Sequence, residues 1–475
     1  MNKKTFYITT PIYYPNAEPH LGHAYATLIA DASTRYHSLM GEETYFMTGT
    51  DENTQKVIQS AEKAGEDPRD YLEKIVERFK CVYSQLGVSY TQFIRTSDEK
   101  VHWPGVIEMW HRLESKGDLY KGEYQGLYCI GCESYKTDKD LVDGKCPDHN
   151  TEPQQLSEEN YFFRLSQYTD KIRAAIASNE LVIEPVERRN EILSLLDSGL
   201  QDVSFSRPAK DVPWGIPVPG DETQRMYVWM DALTNYITGL GFGREEANMK
   251  FWPGVHLVGK DILRFHAAIW PAMLLSAGLP LPKQIQVHGM IISDGKKMSK
   301  SLGNVINPLD MVNRYGTDAT RYILLRHVHP TDDSDLTWDK MDEWYTANLV
   351  NGLGNLTARI MKMAETHLDG PIDKPAVAGF DSVYTDALDT YNFQAASDFV
   401  WSKIQALDEK ITATEPFRLV KTDKEAAVVI IKQLVHDLYI VGRMLHPLMP
   451  EANVAIKEAV LANQKPENLF KRLES

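Results

Sequence analysis

The chain has 475 residues, 43% hydrophobic and 25% charged, the balance of an ordinary globular protein and enough length for two or more domains with a sizeable core in each. No segment approaches the roughly 20 apolar residues that cross a bilayer, and Lys3-Lys4 is followed by no apolar run, so a cytoplasmic protein without membrane contact is expected. A net charge of −15 argues against a general nucleic-acid coat, DNA included, because non-specific binding rests on clustered Lys and Arg neutralising phosphates. It leaves room for one chosen RNA held along a local basic track.

The first predicted strand is Thr5 to Thr10, where Phe6 and Ile8 alternate with polar residues. After a Pro-rich loop, His20-Leu21-Gly22-His23 opens a helix running from His23 towards Leu39. A strand, a loop and a helix start form a phosphate-binding geometry. Pro19 suits a first helical turn, Gly22 allows a nucleotide close to the backbone, and the two histidines can face a triphosphate. Strand and helix signals alternate to about Glu114, which predicts a parallel α/β half-domain over residues 1–114. Cys81, on a predicted helix from Tyr71 to Leu86, reads as a core residue.

Residues 115–225 are richer in Gly, Pro and charge and read as an insertion that returns through Pro208, Pro213, Pro217 and Pro219. Within it, Cys129-x2-Cys132 and Cys146-x2-His149 have metal-ligand spacing, with Gly131 and Gly144 as turn residues. Three thiolates and one neutral imidazole would close a tetrahedral site, so one structural zinc is expected. A disulfide is disfavoured in a chain with no export signal.

Alternation resumes over residues 226–295 with Met226 to Trp229, Val255 to Val258, a helix from Asp261 to Ser276 and a strand from Ile285 to Ile292. A nucleotide should sit at the carboxyl ends of these strands. The turn Asp294-Gly295 precedes Lys297-Met298-Ser299-Lys300-Ser301, whose lysines could close over developing phosphate charge. Residues 296–342 link onward through Pro308, Gly316 and a helix from Asp318 to Arg326. From Glu343 the period is helical (Leu349, Leu353, Leu356, Ile360, later Val428 to Met444), which predicts an all-α bundle over 343–475, punctuated by loops at Pro371 to Pro375 and Thr412 to Pro416.

The words HLGH and KMSKS, in this order, resemble the two motifs of the class I aminoacyl-tRNA synthetases, written HIGH and KMSKS. Further stretches narrow the resemblance to the methionyl-tRNA synthetase family: Pro11 to Asn16, Thr48 to Glu52, Tyr227 to Ala232, and Gly259-Lys260-Asp261-Ile262 with Phe265-His266 and Trp270. The resemblance implies a Rossmann-like catalytic domain with a zinc-containing connective-peptide insertion, followed by an all-α anticodon-binding bundle. It implies ATP-dependent ligation of methionine to tRNA(Met) through methionyl-adenylate, with Mg²⁺ accompanying ATP.

It also implies roles for single residues. Asp51 takes the amine; Ile12, Tyr14, Trp229, Ala232, Leu233, Tyr236, Ile262, Phe265, His266 and Trp270 surround the side chain, with Tyr14 and His266 reaching the sulfur. His20 and His23 meet the triphosphate, Gly22 the adenine side and Asp261 the ribose, with Lys260 beside it, while Lys297 and Lys300 hold phosphates during attack. Asn355 and Arg359 match a helical pair that reads the anticodon, and Phe417 stands where family members often stack a Trp. A cysteine enzyme of the class would place zinc in the pocket, and valine, isoleucine or leucine enzymes need a longer insertion than 115–225. A small-molecule adenylyltransferase would lack the helical tail, and a non-catalytic tRNA-binding paralogue need not keep both words and Asp51. With no further module after the bundle, a monomer is expected.

Overall fold

The computed structural model describes every residue except 1–2, 130–133, 137–139, 148–149, 211–213, 299–303, 377–378 and 474–475. The N-terminal segment alternates β1 (Thr5–Tyr13), α1 (Leu21–Leu39), β2 (Glu43–Thr50), α2 (Gln55–Ala64), α3 (Pro68–Gln85), β3 (Gln92–Arg95) and α4 (Trp103–Ser115). Nearly every β1 residue is buried, the mark of a parallel strand covered on both faces. Cys81 lies on α3 as its helix predicts, but on the exposed face. Its helical neighbours Phe79 and Val82 take the core positions.

The insertion carries β4 (Leu119–Cys129), β5 (Ser134–Lys136) and β6 (Gln154–Phe163), then α5 (Thr169–Ala177), β7 (Val182–Glu184), α6 (Val186–Asp197) and β8 (Val203–Ser204). A small sheet follows from β9 (Ser206–Pro208), β10 (Pro217–Val218) and β11 (Asp221–Met226). Strands β5, β4, β6 and β8 form a separate antiparallel sheet. β7, within the span read as insertion, instead pairs in parallel with a strand of the six-stranded main sheet, a long-range pairing that three residues of sequence do not advertise.

The second half comprises α7 (Val228–Thr238), β12 (Val255–Gly259), a π-turn at Phe265–Ile269, α8 (Trp270–Ala277) and β13 (Gln284–His288). Two predicted elements change here. Met226 to Trp229 reads as a strand from its β-branched and aromatic content, yet β11 stops at Met226 and α7 starts at Val228, because burial of all of α7 outweighs local propensity. The predicted strand Ile285 to Ile292 breaks after His288, and the chain enters another sheet as β14 (Ile291–Ser293), flanked by β15 (Lys296–Lys297) and, later, β16 (Ser334–Asp335).

The main sheet has the order β3-β2-β1-β12-β13-β7, parallel throughout. After α9 (Pro308–Tyr315) and α10 (Thr317–His327), the chain forms α11 (Trp338–Trp344), a π-stretch at Tyr345–Gly354, α12 (Asn355–His367), α13 (Ser382–Asp389), α14 (Phe393–Thr414), α15 (Pro416–Leu419), α16 (Lys424–Met444) and α17 (Pro450–Ala462). One hydrophobic core runs without a break from α1 and α3 through α10 into this bundle. At their junction Arg321 of α10 is fully buried, paired with Asp31 of α1 at 2.7 Å and donating to the carbonyls of Pro447 and Leu448 at 3.0 Å. Among the described residues no helix is long and apolar enough to cross a membrane.

Candidate active site

Parallel strands share one carboxyl edge, and the order reverses between β1 and β12, so a crevice opens there. The chain leaves β1 and enters α1 with His20 as the N-cap, in an extended conformation. His20 Nδ1 accepts the Gly22 N–H at 3.1 Å and His23 Nδ1 accepts the His20 N–H at 3.2 Å, a reciprocal cap that satisfies two donors of the helix end. The rings stack with centroids 3.6 Å apart. With each Nδ1 an acceptor, each neutral ring carries its proton on Nε2, the form that donates to an anion at a positive helix terminus. Burial against Tyr13 and Phe79, and then repulsion from His20, push the His23 pKa well below the usual histidine value, so it stays neutral.

One detail beside the first word differs from expectation: Pro19 precedes the cap and lies outside the helix. Gly22 packs closely on its own neighbour: a Cβ there would stand 3.0 Å from His20 Cε1, so a side chain would require the capping ring to give by a few tenths of an ångström.

At the end of β2 five polar residues in succession, Thr50 to Thr54, are buried. Asp51, 3% exposed, donates its N–H to the Tyr13 carbonyl at 2.9 Å, and the Thr96 hydroxyl lies 3.4 Å from its carboxylate. The neighbouring Glu52 is held by Arg95 at 2.8 Å and by the hydroxyls of Thr50 and Ser97. This fixes the loop that presents Asp51. Tyr14 sits close by, with Lys56 Nζ 3.8 Å above its ring.

Facing this loop, α7 and the π-turn bring the aromatic residues together. Trp229 stacks on Phe265 with centroids 3.7 Å apart and planes within 8°. Ala232, Leu233 and Tyr236 follow at helical spacing on α7, all buried. Tyr236 Oη lies 2.6 Å from His266 Nε2, while His266 Nδ1 lies 2.9 Å from the Ile262 carbonyl. A carbonyl can only accept, so Nδ1 carries the proton, Nε2 accepts from Tyr236, and the ring is neutral. Burial holds its pKa down to about 4.

The helix predicted from Asp261 to Ser276 widens at Phe265–Ile269 because Pro271 has no N–H to return to the carbonyl four residues back. Ile262 is partly buried at its start. Trp270 is completely buried behind Tyr236, its indole N–H donating to His256 Nε2 at 3.1 Å, and His256 Nδ1 lies 2.9 Å from the Thr9 hydroxyl. Trp270 thus packs directly behind Tyr236, with its indole N–H held by His256.

The Gly259-Lys260-Asp261 turn closes the end of β12. Lys260 Nζ pairs with both carboxylate oxygens of Asp333 at 2.9 and 3.0 Å, and Asp333 also accepts the Met290 N–H. Asp261 is exposed at the edge of the crevice. Asp294 and Gly295, both with positive φ, turn β14 into β15, and Asp335 accepts the Gly295 N–H at 3.1 Å. This hairpin delivers Lys297 at the end of β15; Lys300 lies outside the described residues.

A family model for class I tRNA synthetases (M) matches residues 6–156 and 148–361. The methionine–tRNA ligase of Caldanaerobacter subterraneus subsp. tengcongensis is 42% identical over 465 residues, covering 94% of this chain and 72% of the relative. The chain belongs to the methionyl-tRNA synthetase family. Its Thermotoga maritima relative of the same name is 39% identical, covering 97% of this chain and 76% of the relative. Among solved structures, Mycobacterium tuberculosis methionyl-tRNA synthetase in complex with methionyl-adenylate superposes with a TM-score of 0.88 at 35% identity, covering 95% of this chain and 93% of that one. The apo form of the same enzyme superposes at 0.83 and 31% identity, covering 100% and 99%.

The outer parts of the family's architecture can be placed on the same frame. Cys129 ends β4, whose pairing with β5 (Cys129↔Ser134) returns the chain at once, and Cys146 bridges to Thr151. Both cysteines are buried, at 1% and 0% exposure, in a segment where Val142 is 62% exposed, and neither belongs to a hydrophobic core cluster. Buried thiols outside an apolar core fit metal ligation better than packing. Cys132 and His149 lie outside the described residues. In the bundle, Asn355 begins α12 and is exposed, and Arg359, one turn on, pairs with Asp408 of α14 at 2.5 Å. Phe417, 44% exposed on α15, has the Arg418 guanidinium 5.7 Å from its ring centroid.

Sequence reasoning assigned no role to Glu52, Asn53, Thr96, His102, Asp231 or His256. The signal available was the unbroken polar run Thr50 to Thr54 directly after a buried strand, where at least some members must find buried partners.

Proposed function

We propose that this crevice catalyses both steps of methionyl-tRNA formation: methionine and ATP give methionyl-adenylate and pyrophosphate, and the adenylate then esterifies a ribose hydroxyl at the 3′ end of tRNA(Met), releasing AMP. The observation that carries it is the placement, at one switch point, of a reciprocally bonded histidine pair capping α1 beside a buried carboxylate and an aromatic pocket. A buried Asp51 carboxylate suits an ammonium group, and Trp229, Phe265, Tyr236 and partly buried Ile12 offer the polarisable, apolar surroundings a thioether prefers. Tyr14 and His266 are the polar members of that pocket. His20 and His23 would bind the triphosphate end through their Nε2–H donors, Gly22 would lie at the adenine side and Asp261 at the ribose, with Lys260 alongside.

In the first step a methionine carboxylate oxygen forms a bond to the α-phosphorus as the bond to the pyrophosphate oxygen breaks. No side-chain nucleophile is needed; Lys297 and Lys300 stabilise charge on the leaving phosphates, and positioning supplies the rest. Mg²⁺ would travel with ATP and neutralise phosphate charge. One zinc held by Cys129, Cys132, Cys146 and His149 would brace the insertion, and its thiolates suit a reducing, cytoplasmic compartment. Asn355, Arg359 and Phe417 would meet the anticodon, Phe417 by stacking on a base.

The test is ATP–pyrophosphate exchange with a panel of amino acids. Exchange driven by methionine alone is expected. Exchange with a different amino acid would move the assignment to a sister synthetase, and tRNA binding without any exchange would leave a non-catalytic protein.

A further inference from the structure

A second buried polar cluster lies behind the pocket. His102 precedes the first residue of α4 and its ring turns away from the helix end; its Nε2 stands 2.6 Å from Asp231 Oδ1 and its Nδ1 2.7 Å from the Thr238 hydroxyl. Asn53 donates from one amide nitrogen to Asp231 Oδ2 at 2.8 Å and to the Thr96 carbonyl at 3.0 Å. Thr96 in turn accepts the Glu52 N–H at 2.7 Å and reaches Asp51 at 3.4 Å. His102, Thr96 and Thr238 are completely buried, Asp231 is 1% exposed and Asn53 6%. The chain of contacts thus runs from the Asp51 carboxylate to α7 without meeting solvent.

Its attachment to α7 is one-sided. At roughly 100° per residue, Trp229, Ala232, Leu233 and Tyr236 form one stripe of the helix, and Asp231 and Thr238 fall on the opposite stripe. Close approach supports the same contact: a Cβ on Gly105 of α4 would lie 2.4 Å from Thr238 Cγ2 and 2.5 Å from the Phe242 carbonyl. The whole insertion separates α7 from β2 in sequence, so apolar packing, which tolerates small slides, would otherwise set their spacing. A carboxylate that must satisfy two donors at fixed angles does not tolerate them.

We infer that His102, Asp231 and Asn53 are positioning residues forming a buried strut that sets the distance between the ammonium-binding Asp51 and the thioether-facing stripe of α7, and so tunes affinity for the amino acid but not for ATP. The inference rests on the methionine site proposed above. Its test uses the full chain in ATP–pyrophosphate exchange, with KM measured separately for methionine and ATP. His102→Leu, which leaves Asp231 without its imidazole partner, should raise the methionine KM by about tenfold or more, as expected for one lost buried charged hydrogen bond, with the ATP KM unchanged within about twofold. His102→Gln, which keeps an N–H donor, should recover most of that loss. If His102→Leu does not fold, Asn53→Ala carries the same expectation at about fivefold.

Equal shifts in both KM values, a fall in kcat alone, or no rescue by Gln would overturn the strut while leaving methionine activation standing. A wild-type chain inactive with methionine would overturn the underlying site reading as well.

Discussion

The His266→Gln substitution gives the sharpest quantitative test of how the pocket is held. In the folded protein His266 is 2% exposed and neutral, its pKa pressed down to about 4 by burial; in the unfolded chain it should titrate near the ordinary value of about 6.5. The folded pKa is the lower one, so the unfolded state takes up a proton first on acidification. The contribution of neutral His266 is therefore complete above about pH 6.5 and is lost progressively as the pH falls towards 4. Linkage between these two values puts the loss between pH 7 and pH 5 at about 2 kcal/mol for this one group. Urea titrations followed by tryptophan fluorescence at both pH values would measure it. Wild type should lose about 2 kcal/mol more than His266→Gln across that interval. Identical pH dependence in the two proteins would refute the buried, neutral assignment, and with it the claim that Tyr236 donates to Nε2.

Three other outcomes are expected. Lys300→Ala should slow adenylate formation by about a hundredfold or more while leaving the methionine KM nearly unchanged; losses of equal size in both would count against a transition-state role. Metal analysis of the purified protein should find about one zinc per chain, and a zinc-free protein with an unaltered insertion would rule out the knuckle. Arg321→Leu removes one of the two guanidiniums on Asp31, Arg35 keeping its contact at 2.7 Å, and takes the donor from the Pro447 and Leu448 carbonyls; it should destabilise by about 2–3 kcal/mol in thermal unfolding, and an unchanged melting temperature would refute the buried seam.

Much of the site was legible in the linear sequence where chemistry depends on neighbours in the chain. His20 and His23 face each other because three residues separate the cap from the end of the first helical turn. Asp294-Gly295 turns before the lysines because both residues accept positive φ. The expectation of ligation by the cysteine pairs comes from their spacing alone, and Asn355 with Arg359 shares a face because helices repeat every 3.6 residues or so.

Other features depended on partners far away. The π-turn that orients His266 follows from Pro271, a local cause, but its usefulness depends on Tyr236, thirty residues earlier, standing 2.6 Å away. The indole N–H of Trp270 is held by His256, fourteen residues earlier and on a different element. The short strand β7 left the insertion to join the catalytic sheet, and Met226 to Trp229 gave up a strand-like pattern for a buried helix start. The His102–Asp231 contact spans 129 positions.

The sequence by itself determined the two signature words, the spacing of the cysteine pairs, the α/β-then-α order and hence the family, since each of these is written in local spacing and side-chain type. Tertiary structure alone decided which buried polar groups pair across the insertion and how far Asp51 stands from the aromatic stripe, because those distances are set by packing between segments whose separation in the chain carries no periodic signal.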